Sequence, residues 1–209
     1  PDYISVLQNL GMLYQLNHEP RKSEKLLGQV IELGRKYPES ITVNAIYAKR
    51  HIGDIRLSSG KKGEGIALFR EALAEAQEKL GSNHPTTLWL IQDLGSTIHG
   101  VEGTALIAKA YEGWKSITGL ESSKTELARR QFIINAVECN PKEIDWAKTL
   151  KVTNDGKLKY EILELQRGPD GLTEEEKNAR RNFEIIAIES LFHLGRFEEG
   201  EARIEEWQR

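Results

Sequence analysis

Apolar residues recur at three- and four-residue steps along most of this chain, separated by charged and amide side chains. Ile4, Leu7, Leu10 and Tyr14 follow a candidate N-cap at Asp2 and predict an amphipathic helix. Asn17-His18-Glu19-Pro20 then reads as a turn, with Pro near the start of the next helix. That helix carries Leu26, Leu27, Val30, Ile31 and Leu33 and stops at Tyr37-Pro38. The same helix–turn–helix pattern returns with Val43, Ile46, Tyr47, Ile52 and Ile55, a break at Ser58-Ser59-Gly60, then Ile66, Leu68, Phe69, Ala72, Leu73 and Ala76. It returns again with Leu88, Leu90, Ile91, Leu94 and Ile98, a glycine turn at Gly100 and Gly103, then Leu106, Ile107, Ala110, Tyr111, Trp114 and Ile117.

A fixed period underlies these pairs. Gly53 lies 42 residues after Gly11, and Gly95 lies 42 residues after Gly53, each following an aliphatic residue inside an amphipathic segment. Glycine in a helix interior costs ~1 kcal/mol against alanine, so its return at one spacing points to close helix–helix approach in a stacked repeat. The expected repeats span about 2–37, 40–80, 86–119, 125–152 and 173–209, as one helical array over 1–209.

The later part is less regular. Leu127, Phe132, Ile133, Ala136 and Val137 predict a first helix of repeat four, with Val137 at the position held earlier by glycine. Asn140-Pro141 ends it, and Lys142–Leu150 reads as its partner. Asn154-Asp155-Gly156 breaks the pattern, and an irregular insert is expected over about 152–171. Within it Leu158, Ile162 and Leu165 fit a helix, while Val152 and Tyr160 around Asn-Asp-Gly fit a small hairpin. Helix is preferred because the neighbours are helical. Gly168-Pro169-Asp170-Gly171 reads as a turn, and the three glutamates Glu174, Glu175 and Glu176 suit the start of another helix. Leu194-Gly195-Arg196-Phe197 turns the chain into a last helix, where Gly200 would hold the small-residue position of Gly65.

Composition narrows the classes of function. Net charge is −3 with the signs interspersed, against a nucleic-acid or anionic-membrane surface. No apolar run approaches the ~18 residues of a span, and no signal-peptide pattern opens the chain. The single cysteine, Cys139, makes no intramolecular disulfide, and a cytoplasmic protein is expected. The start at Pro1 instead of Met leads us to expect a larger, multidomain parent chain.

Leu10, Gly11 and Tyr14 in the first repeat, and Ile52, Gly53, Gly60, Gly65, Phe69 and Ala72 in the second, resemble the tetratricopeptide repeat (TPR) family. The linker Leu80-Gly81-Ser82-Asn83-His84-Pro85 resembles the Leu-Gly-x-x-His-Pro linker of the kinesin-light-chain subtype. The resemblance implies an all-α, right-handed superhelical solenoid of antiparallel helix pairs, with about five TPR-like units and an irregular fourth. It also implies a concave groove lined by the first helices. By register the inward positions are Gln8, Asn9 and Met12; Arg50, His51 and Asp54; Trp89, Gln92, Asp93 and Ser96; and Gln131, Asn135 and Glu138.

That lining is mixed and amide-rich. Amides offer donors and acceptors to an extended peptide backbone, Arg50 suits an acidic side chain or terminal carboxylate, and Trp89 is either an anchor or a packing residue. The paired Lys and Asn of a chaperone-tail carboxylate clamp are missing. The expected function is therefore a protein–protein interaction scaffold with a peptide or protein partner in the groove. The alternative is the C-terminal ligand-sensing array of a larger nucleotide-binding signalling protein. No catalytic residue, cofactor or metal is expected. His18, His51, His84, His99 and His193 form no metal-ligand spacing, and Gly60-Lys61-Lys62-Gly63-Glu64-Gly65 lacks the strand and the Lys-Ser/Thr ending of a phosphate loop.

Overall fold

The computed structural model describes residues 2–168 and 171–208, with the side chains of 2, 38–41 and 208 left aside. The side chain of the candidate cap Asp2 and residues 169 and 170 of the turn thus lie outside the described residues. Ten helices and no strand occur among the described residues. In order they are α1 (Asp2–Leu16), α2 (Pro20–Lys36), α3 (Pro38–Ser58), α4 (Lys62–Leu80), α5 (Pro85–Ile98), α6 (Gly100–Thr118), α7 (Ser123–Glu138), α8 (Trp146–Arg167), α9 (Glu174–His193) and α10 (Phe197–Gln208). They fall into two compact units, Pro1–Ile98 and His99–Arg209.

In the N-terminal unit each helix packs on the next, and α1 also touches α3. Leu7, Leu27, Val30, Ala48 and Ile55 form a core shared by the first three helices. The glycines let these helices close up. A Cβ on Gly11 would stand 2.9 Å from Leu27 Cγ, and one on Gly53 would stand 2.6 Å from the Phe69 ring. Both are closer than real side chains pack, so glycine is required there. The turn between the helices of a pair needs a left-handed residue. Gly60 and Gly195 supply it at φ of 76° and 72°, and His18 takes it at 58°, where a side chain is strained.

In the C-terminal unit α6 packs on α7, α8 on α9 and α9 on α10, with a lighter α7–α8 contact. Its core is aromatic and partly charged: Tyr111, Trp114, Phe132, Tyr160 and Phe183 are buried, and so is Arg129. Arg129 pairs with Glu126, donates to the Leu120 carbonyl at 3.2 Å, and lies over the Tyr111 and Phe183 rings at 5.7 and 5.8 Å. Glu126 also accepts from Arg130 Nε and Lys159 Nζ at 2.9 Å each and from the Tyr160 hydroxyl at 3.2 Å. Burial alone would raise its carboxyl, but Arg129, Lys159 and Arg130 outweigh that and hold it below the ordinary range.

The irregular insert is absent. Residues 152–167 belong to α8, which is continuous from Trp146 to Arg167, so neither the break nor the hairpin forms. The partner helix starts at Trp146 rather than at 142, capped by Asp145, whose carboxylate accepts from the Lys148 amide at 3.0 Å. Tertiary contacts hold the three turn-forming residues in helix. Asn154 accepts from Arg203 at 2.9 Å, and Asp155 accepts from the Tyr111 hydroxyl at 2.6 Å and Lys115 Nζ at 2.5 Å. Gly156 presses its backbone on Phe183, where a Cβ would stand 2.7 Å from the ring. At 22 residues α8 is longer than α2 at 17 or α4 at 19, and this takes up part of the shift between repeats four and five. Gly200 does hold the Gly65 position: a Cβ on either would strike the side chain eight residues earlier, Phe192 or Leu57.

Candidate functional site: the faces of the first helices

The linkers set the register. Thr87 Oγ1 donates to the Gly81 carbonyl at 2.8 Å, and Thr125 Oγ1 donates to the Gly119 carbonyl at 2.7 Å. His84 Nδ1 accepts from the Thr86 amide at 3.2 Å, and Ser122 Oγ accepts from the Lys124 amide at 3.3 Å. These are one linker occurring twice, 38 residues apart. Repeat four is therefore four residues ahead of the expected register. Ile133, not Val137, stands where Gly95 does in repeat three.

In the N-terminal unit the expected residues do meet, but they meet one another. Asn44 Nδ2 donates to Gln8 Oε1 at 2.7 Å and ties α3 to α1. Arg50 Nε donates to Asp93 Oδ2 at 2.5 Å and ties α3 to α5. Asp54 lies 3.9 Å from both Arg50 Nη1 and His51 Nδ1. Burial, then the Arg50 charge, pushes the His51 imidazole down to about 4. Burial also pushes the Asp54 carboxyl up to about 6, against the pull of Arg50. Trp89, Met12 and Ser96 are half-buried and Asn9 is exposed. Gln92 is 1% exposed and so cannot line a groove.

In repeat four the expected lining is displaced. Asn135 is buried at 4% exposure and donates to the Gln131 carbonyl at 3.0 Å. Gln131 is half-buried. Glu138 is exposed, with its carboxylate 3.7 Å from His99. Ile134 and Val137 face outward on α7, 53% and 49% exposed. Opposite them α9 presents Ile185, 46% exposed, beside Ile186. Together these aliphatic side chains line a groove of about 500 Å³ between α7 and α9, with Asn178 and Asn182 along one wall. Arg130 and Glu175 stand 3.9 Å apart on its rim. The displacement follows from the four-residue reset. The repeated Gly-to-Thr spacing, 81 to 87 and 119 to 125, is the sequence signal that marks it.

No group of three or more His, Cys, Asp and Glu side chains among the described residues is placed to hold a metal ion. No helix among them is long and apolar enough to cross a membrane.

This arrangement of paired helices is the TPR-like repeat fold. BtubC (BKLC) from P. vanneervenii superposes with a TM-score of 0.63 at 12% identity, over 100% of this chain and 78% of that one. A putative kinesin light chain from Podosopora anserina with nearly identical TPR-like repeats superposes at 0.63 with 15% identity, over 97% of this chain and 92% of that one. A variant form of that kinesin light chain does so at 0.62 with 14% identity, over 98% and 92%. No protein-family model matches the sequence, and no curated protein matches it either.

Proposed function

We propose that this protein is an interaction scaffold and that the groove between α7 and α9 holds an apolar segment of a protein or peptide partner. One observation carries the reading: three large aliphatic side chains, Ile134, Val137 and Ile185, are about half exposed along one groove of a first-helix face. Large aliphatic residues grouped in this way mark interaction sites. Burying each fully is worth roughly 1.5–3 kcal/mol, and half of that is still available here. Three such contributions fall short of the about 8 kcal/mol of a micromolar complex. The side-chain amides of Asn178 and Asn182 add to this by pairing with a peptide backbone. Arg130 and Glu175 on the rim favour a peptide with opposite charges at matching positions.

The polar face of the N-terminal unit plays a smaller part in this reading. Arg50 reaches a partner carboxylate only by exchanging it for Asp93.

The test is selection of binders from a displayed random-peptide library, followed by fluorescence polarisation with the best peptide. The variant Ile134→Glu/Ile185→Glu should bind at least about 100-fold more weakly, close to 2.7 kcal/mol, with unchanged helical circular dichroism. Arg50→Glu and Trp89→Ala should retain capture. Loss of capture in Trp89→Ala with the isoleucine variant intact would place the binding face in the N-terminal unit instead.

A further inference from the structure

A second concavity in the C-terminal unit, of about 370 Å³, lies between α8, α9 and α10. It falls in the size range of small-molecule sites, ~300–1,000 Å³. Its chemistry is the reverse of the α7–α9 groove. Five basic side chains line it against three acidic ones, an excess of two positive charges.

The equivalent place in the N-terminal unit is filled. The pair α9–α10 matches α3–α4 residue for residue, 135 positions later, as the turns at Gly60 and Gly195 and the contacts of Gly65 and Gly200 require. Ala45, Ile46, Leu68 and Ala72 stand where Arg180, Arg181, Arg203 and Trp207 stand here. Ala45, Ile46 and Ala72 are buried, whereas Trp207 is 52% exposed. Charged and aromatic residues thus stand at positions that are apolar, three of them buried, in the N-terminal unit, and a pocket opens beside them.

Some of the positive charge is already used. Arg180 pairs with Glu164 at 2.6 Å, Lys177 with Glu174 at 2.9 Å, and Lys157 with buried Glu184 at 3.3 Å. A buried donor in the lining lacks a hydrogen bond, and so does the buried acceptor Glu184 Oε2, whose charge Lys157 offsets. Arg203 Nη1 is fully buried without a hydrogen-bond acceptor, and its nearest charge is Glu184 Oε1 at 3.7 Å. The other guanidinium nitrogen, Nη2, donates to Asn154 at 2.9 Å and fixes the orientation of the fork. Arg181 is exposed and makes no ion pair among the described residues. A buried N–H donor without an acceptor costs about 1–3 kcal/mol, and an oxyanion brought into the pocket relieves that cost.

We propose that this pocket binds a small organic phosphate. The phosphate oxygens accept from Arg181 and, as the Arg203 guanidinium turns from Glu184 toward the pocket, from Arg203 Nη1, in the planar fork geometry that guanidinium gives to oxyanions. Trp207, standing at the pocket with half its surface exposed, covers a planar ring carried by the same ligand. Glu206, also in the lining, disfavours a ligand with negative charge at both ends. The site is separate from the α7–α9 groove and does not depend on its having a peptide partner.

The experiment is isothermal titration calorimetry of the full chain with adenosine 5′-monophosphate, inorganic phosphate and adenosine. Saturable binding of the monophosphate, tighter than that of either half alone, is expected. Arg203→Gln and Arg181→Gln should each weaken it at least about 10-fold, and Trp207→Ala should weaken the monophosphate while leaving inorganic phosphate unchanged. Arg181 is on the surface, so its variant reads binding with the fold intact. Absence of saturable binding to both phosphates up to about 10 mM, weaker than the ~4 kcal/mol of a millimolar site, overturns the proposal. So does equal binding by wild type and the two arginine variants.

Discussion

The N-terminal unit pairs its charges in partly buried positions along the first helices, where Arg50 reaches Asp93 and Asn44 reaches Gln8. The C-terminal unit takes charge inside, with Arg129 at 0% exposure beside Glu126, and leaves aliphatic side chains outside on α7 and α9. Both units show aliphatic side chains, Leu13 and Leu16 on α1 in one and Ile134 and Val137 on α7 in the other, so they share one plan of paired helices and differ in what their cores hold. The fold requires only that neighbouring helices interlock. Interlocking is met equally by glycine against a ring, as at Gly53 and Phe69, or by a paired arginine between two rings, as at Arg129.

The contrast can be broken most strongly at the buried pair. Glu126→Gln leaves Arg129 and Lys159 without their carboxylate and should destabilise by about 3–5 kcal/mol, the usual cost of orphaning a buried charge. Asp93→Asn strips the half-exposed Arg50 of its partner and should cost about 1 kcal/mol or less. Urea melts of the two variants at pH 7 decide it. Equal losses would mean that the two ion pairs sit in similar environments.

A smaller effect separates the units by pH. The Asp54 carboxyl, raised to about 6 by burial and against Arg50's pull, is unfavourably ionised above that pH. Its contribution to stability therefore improves as pH falls through 6 toward 4. His51, lowered to about 4, resists protonation in the folded state, so its contribution worsens as pH falls from 6.5 to 4. The two oppose each other in wild type. Asp54→Asn should lose roughly 2 kcal/mol between pH 7 and pH 4.5, and His51→Gln should gain a similar amount. Chemical denaturation at the two pH values reads both slopes, and parallel slopes in the two variants would contradict the assignment.

The smallest effect concerns the turns. His18 takes at φ 58° the left-handed position that glycine holds in the equivalent turn of the C-terminal unit, Gly195 at 72°. His18→Gly should raise stability by up to about 1 kcal/mol, visible as a small increase in Tm. A decrease would show that the imidazole makes a compensating contact.

Much of the plan is legible in the sequence because it is local. The alternation of apolar stripes, the glycines at 11 and 53, the linker at 80–85 and the turn at Gly195 each act within one or two helices. What is not legible depends on distant partners. Asn154-Asp155-Gly156 reads as a break on propensity alone, and it is helical because Tyr111, Lys115, Phe183 and Arg203 meet those residues from other helices. The lining of repeat four escapes for a related reason. A constant period carried past Gly119 overruns the point where the linker has already reset it, and so places buried Asn135 where Ile134 is exposed.

The four-residue reset and the long α8 say something about how such a chain tolerates change in length. Four residues are close to one turn of helix, 3.6 residues, so losing them advances the chain without rotating one face into another. A single added residue has no such neutrality. Placed in α8 before Gly156, it would swing everything upstream of the insertion by about 100° relative to Gly156 and Phe183. Asn154 or Asp155 would then lose its partners, or a side chain would meet the Phe183 ring. Within a helix of this protein, then, length changes without turning a packed face away from its partner only by whole turns.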